Sequence, residues 1–105
     1  MPYIPVGFVH QARLEAAIDR ATRALAGDVV HIRYELGPDW AGNPAVFFRV
    51  VLTDKASKPN KLGEVVQRVT AGIMFEVQPA LQGAYSYFNF RSLSEHTKLK
   101  DPAWA

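Results

Sequence analysis

Three histidines, His10, His31 and His96, and no cysteine set the side-chain chemistry open to this chain. Imidazole is the group most used for general acid-base work. These three fall at a helix start, within a strand and in the C-terminal tail, with no recurring spacing, so each reads as a surface or hydrogen-bonded histidine. Ser94-Glu95-His96 has the residue types of a hydrolytic set, but side chains adjacent in sequence rarely aim at one another. Ser92 and Glu95 instead have the spacing of a helix capping box. Asp39 follows Gly37-Pro38 and reads as a turn residue, and Asp54 stands at a strand end without the D-x-D-x-D-G pattern of a calcium loop. No phosphate loop, dinucleotide fingerprint or H-E-x-x-H motif is present. The missing cysteine excludes disulfides, thiolate catalysis and cysteine-ligated metals. The sequence therefore nominates no catalytic residue, no metal ligand and no cofactor.

What remains is a combination of rings and cations. The stretch Ala84-Tyr85-Ser86-Tyr87-Phe88-Asn89-Phe90-Arg91-Ser92 sets four aromatic rings into six positions in two registers. On a strand, Tyr85 and Tyr87 face one way and Phe88 and Phe90 the other. One pair fits a core; the other needs a different cover. Arginines with stacking rings are also the pairing used by single-strand RNA binders. Arg33, Arg49 and Arg91 with rings at Phe47 and at Tyr85 or Tyr87 meet that description, and Lys55, Lys58 and Lys61 would add phosphate contacts. Against it stand Glu35 on the same expected face, the lack of an RNP or GXXG motif, and a formal net charge of only +2.

The elements that must position these residues follow from periodicity. From Val9 to Ala26, Leu14, Ile18, Ala21 and Leu25 recur at helical steps, with Asp19 and Arg23 spaced for an ion pair and Gly27 as a C-terminal cap. In Asp28–Gly37 the residues Val30, Ile32, Tyr34 and Leu36 alternate with His31, Arg33 and Glu35, the pattern of a half-buried strand. A turn-rich loop carrying Trp40 leads to a second strand, 45–53. There Val46, Phe48, Val50 and Leu52 form one face, and Phe47, Arg49, Val51 and Thr53 the other. After a solvated connection, Asn60 is placed to cap a helix with the stripe Leu62, Val66, Val69, Ile73 and Val77, ended by Pro79. The ring-rich strand and a short helix from the Ser92 box to about Lys100 complete the chain.

At 105 residues the chain is the size of one domain, with an N-terminal arm at 1–8 and a C-terminal tail at 92–105. The expected fold is an α+β two-layer sandwich in helix-strand-strand-helix-strand order. A three-stranded sheet carries two long helices on one face, because each helix has a single apolar stripe to bury. The order resembles that of ribosome-binding factor A proteins and of the cytoplasmic domains of cation-diffusion transporters. That likeness spans about Val9 to Phe90, shares no residue motif, and implies neither function nor site.

The sheet face turned away from the helices is then too apolar to be left in water. Phe47, Val51, two rings of the third strand and Phe75 would together expose an area on the scale of an interaction site. The arm and tail, a second copy of the chain, or a different protein or nucleic acid would cover it. Trp40 at the rim is the residue type favoured at contact hot spots. The expectation is a small non-catalytic association module, homodimeric or an accessory subunit of another protein. Its surface centres on Phe47, Arg49, Val51, Tyr85 and Tyr87, with Arg33 and Trp40 beside them; nucleic-acid binding through the same face is the alternative. No apolar run reaches the roughly 18 residues of a membrane span, and a soluble cytoplasmic protein is expected.

Overall fold

The computed structural model describes residues 10–104, so the expected N-terminal arm lies outside the described residues. The chain runs α1 (Gln11–Ala24), β1 (Val29–Pro38), β2 (Pro44–Leu52), α2 (Pro59–Leu81), β3 (Tyr85–Ser92) and α3 (Leu93–Leu99), then a single 3-10 turn at Pro102–Trp104. The fold is α+β, with a mixed three-stranded sheet ordered β1-β2-β3. β1 pairs antiparallel to β2, and β3 parallel to it through the α2 crossover. β2 is the central strand because it alone is apolar on both sides, and a central strand covered on both faces is where such a run is stable.

On one face Val46, Phe48, Val50 and Leu52 meet Leu14, Ala17, Ile18 and Ala21 of α1 and Val65, Val69, Ile73 and Val77 of α2. Phe88 and Phe90 pack against this cluster, with Phe88 stacked on Phe48 at 5.0 Å. The phenylalanines of β3 thus serve the core, and Tyr85 and Tyr87 take the second face. Full burial of a side chain of this size contributes about 1.5–3 kcal/mol. The exposed Arg20–Glu76 ion pair between α1 and α2 (3.0 Å) contributes at most about 1 kcal/mol. Apolar burial therefore holds the two layers together.

Several local expectations are corrected. A register shift between Val29 and His31 inserts one residue into β1, which puts Val29 in the core and turns Val30 outward. A bulge has that effect because side chains alternate strictly on either side of it. The β2–β3 register is unbroken. Asn60 does not cap α2: the helix starts at Pro59 with Lys58 as N-cap, since proline at the first helical position has no N–H to leave unsatisfied. The buried stripe is Val65, Val69, Ile73 and Val77, continued by Ala80 and Leu81, and Leu62 and Val66 lie on its flank. Pro79 does not stop the helix, because the carbonyl it leaves free belongs to Phe75, an exposed residue near the helix end. Gln82 and Gly83, both left-handed (φ 50° and 88°), end it instead. Gly27 does not cap α1, whose last turn closes through the Leu25 N–H on the Ala21 carbonyl. Asp19 and Arg23 form no ion pair among the described residues; Arg20 takes that role by reaching Glu76.

Candidate functional site

The second face of the sheet is a ladder of four rows, fixed by the strand registers: Gly37, Ala45 and Tyr85; Glu35, Phe47 and Tyr87; Arg33, Arg49 and Asn89; His31, Val51 and Arg91. The first row lies at the loop end, beside the turn carrying Trp40. The last lies at the tail end, where β3 passes into α3.

The tail end is roofed. Ser92 accepts from the Glu95 amide, and the Glu95 carboxylate accepts from the Ser92 amide, so the expected capping box is present. Asp54, at the end of β2, accepts from the Ser94 amide at 3.0 Å and from its hydroxyl at 2.6 Å. These two bonds hold the Asp54 carboxyl below its usual range against the cost of its burial. α3 has no buried residue of its own. The closure is made by Trp104, 6% exposed, whose ring lies 4.3 Å from the Arg91 guanidinium. Arg91 also bonds Asp101 at 3.3 Å. The Asp101 carboxyl is lowered first by the Ala103 amide, opposed by burial, and further by Arg91. His96 meets His31 edge to face at 5.1 Å. Beneath them Val51 is 0% exposed, which corrects its expected place in an open patch: the chain's own tail covers it.

The loop end is open. Asp39 is buried and accepts from the Asn43 amide at 2.8 Å, the Ala41 amide at 3.0 Å and the Tyr87 hydroxyl at 2.8 Å. Burial works against its charge, but these bonds outweigh it and lower its carboxyl from the usual value. The same bond to Asp39 raises the Tyr87 phenol, with burial and the carboxylate charge adding to it. Gly42 at φ 84° lets the five-residue turn close around this carboxylate. The network seats Trp40 against Tyr87 (5.1 Å), and Tyr87 against Phe47 (5.4 Å, 21° between planes). Trp40 nonetheless remains 84% exposed and Tyr85 55% exposed.

Arg33 and Arg49 face each other across the β1–β2 pair, a like-charge placement that is unfavourable unless relieved. Arg49 makes one 3.5 Å contact to the exposed Glu35 and lies near enough to Asp101 to help lower its carboxyl, whereas Arg33 forms no ion pair among the described residues. Phe75 stands exposed on α2, in the helix layer, so it does not belong to this face.

The structure thus brings together Phe47, Tyr87, Trp40 and Tyr85 at the loop end, with Arg33 and Arg49 next to them, and separates Val51. Three links were missed in the sequence. The Asp39–Tyr87 bond and the His31–His96 contact join residues far apart in the chain and leave no local signal. The docking of Trp104 was legible only as far as the C-terminal tail was one of the covers open to this face. A shallow groove of about 540 Å³ between α1 and β1 is lined by Glu15, Ile18, Asp19, Ile32, Arg33 and Tyr34. It pairs the Tyr34 hydroxyl with Glu15 at 2.8 Å and assembles no nucleophile with a base. Among the described residues no three His, Asp or Glu side chains gather as metal ligands, and no helix is long and apolar enough to cross a membrane. No family model, curated protein or solved structure matches this chain.

Proposed function

We propose that this chain works by association, as a homodimer whose two copies meet through the loop end of the second sheet face. The observation that carries the reading is Trp40. Its turn is closed by a buried carboxylate with three short hydrogen bonds, yet the indole itself is left in water. A large ring held in place before contact loses little freedom on binding, which is what gives tryptophan its weight in interfaces.

Charge favours a second copy as the occupant. The face carries the exposed Glu35 carboxylate and Arg33, which has no ion pair among the described residues. A two-fold axis between these two adjacent rows sets Arg33 of each copy against Glu35 of the other, as an isologous interface requires. A single-stranded nucleic acid is served less well. Phe47 and Tyr87 stack on each other, so one face of each ring is already taken, whereas base binding needs open ring faces.

The test is the molecular mass by light scattering at high micromolar concentration. A dimer is expected for the native chain, a monomer for Arg33→Glu, and a dimer again for Arg33→Glu combined with Glu35→Arg. A monomeric native chain refutes the reading. If that monomer also binds single-stranded RNA in a salt-sensitive way, the face belongs to nucleic acid.

A further inference from the structure

We infer that α3 and the Pro102–Trp104 turn form a pH-released roof: neutral His31 and His96 let the tail lie on the sheet, and their protonation lifts it and uncovers Val51. The inference stands on the tail contacts alone and does not depend on dimer formation.

Its basis is where the two imidazoles sit. His31 belongs to the sheet and His96 to the tail, and their rings meet at 5.1 Å across the joint between the two. His31 Nε2 and His96 Nδ1 are both buried, and neither has a hydrogen-bond partner in the structure. A neutral imidazole tolerates such a position; two imidazolium rings there would repel each other without solvent to separate their charges. The surroundings make matters worse. On the sheet side, β1 adds Arg33, β2 adds Arg49, and β3 adds Arg91 in the same row. On the tail side, α3 carries Glu95 and Lys98, and Lys100 and Asp101 follow it. The nearby carboxylates are already engaged: Asp101 by Arg91, Asp54 by Ser94 and Glu95 by the capping box. None of them hydrogen-bonds either imidazole.

The titration of His31 agrees in direction. Burial lowers it from its ordinary value, His96 lowers it further, a hydrogen bond to the Trp104 backbone carbonyl opposes, and Arg33 adds a small lowering. A depressed histidine means the folded state releases the proton that the unfolded chain would hold. Its contribution to stability is therefore complete above about pH 6.5 and is lost as the pH falls below that value. The tail is the element to yield, because α3 buries no side chain and Trp104 is the tail's one buried side chain among the described residues. The helix-facing core contains no histidine and stays intact.

The experiment follows the indole emission of Trp104 in a Trp40→Phe background, where it is the only tryptophan. The pH runs from about 8 to about 5, across the histidine range, with far-ultraviolet circular dichroism recorded in parallel. The expected result is a red shift of emission on acidification with the dichroism unchanged. That shift should be absent in His96→Gln and in His31→Gln, and present already at neutral pH in His96→Lys. Two glutamine variants are used so that failure of one to fold leaves the test intact. No shift in the parent, a shift that persists in a folded glutamine variant, or a shift that coincides with loss of helix signal overturns the inference.

Discussion

The two ends of the second sheet face carry unequal apolar loads, and the lighter one is the one that is covered. At the tail end Val51 is sealed under α3 and Trp104; at the loop end Trp40 and Tyr85 stay in water although more aromatic surface is at stake. Chain geometry explains the asymmetry. Because β3 runs parallel to β2, it delivers the chain to the tail end, where α3 begins at once. A seven-residue helix spans about 10 Å, and a nine-residue strand about 30 Å. α3 can therefore roof roughly a third of the sheet's length. Local cover goes where connectivity places it, and the richer patch is left for something else.

The two tryptophans give the sharpest way to break this comparison. Trp104→Ala should destabilise the fold by about 3 kcal/mol, the low end for a buried aromatic, because it removes the tail's one apolar anchor and opens Val51. Urea unfolding measures it, and a loss below about 1 kcal/mol would mean the tail is not a structural roof. Ser92→Ala removes the cap that starts α3 and should cost about 1 kcal/mol, again read by urea unfolding. It should also weaken the emission of a docked Trp104 before the core melts. Trp40→Ala should change unfolding free energy by no more than about 0.5 kcal/mol, as for an exposed side chain, while lowering the dimer fraction seen by light scattering. A large stability loss there would make Trp40 a lid on the core and remove the case for an interface. Acidification from neutral pH to about pH 5 should lower stability by no more than the docked tail contributes, through the depressed His31. A steeper fall at lower pH should follow as Asp39, Asp54 and Asp101, all held below their usual values, take up protons.

Much of the fold was legible because its signals are local. The stripe of α1, the two-sided apolarity of β2, the split registers of the β3 rings and the Ser92–Glu95 box each lie within a few residues. The errors arose where a neighbour distant in sequence decides. Val30 was expected inward on alternation alone, but the bulge before His31 let Val29 pair with Leu52. Asn60 has the right side chain for a cap, yet the chain enters the helix through Pro59 instead. Val51 looked exposed because the placement of the tail depends on β3 being parallel, which no local pattern encodes. The candidate site divides the same way. Phe47, Tyr85, Tyr87 and Arg33 were assigned to one face by parity, whereas Asp39 reaches Tyr87 across 48 residues of chain to seat Trp40.

By itself the sequence determined which side chains seek water and which avoid it on every element, since period and side-chain chemistry are properties of short segments. Only the tertiary structure decided which end of the second face would be closed. That outcome depends on strand direction and on where α3 and the Pro102–Trp104 turn come to lie, and both are settled when the strands pair rather than where the residues are written.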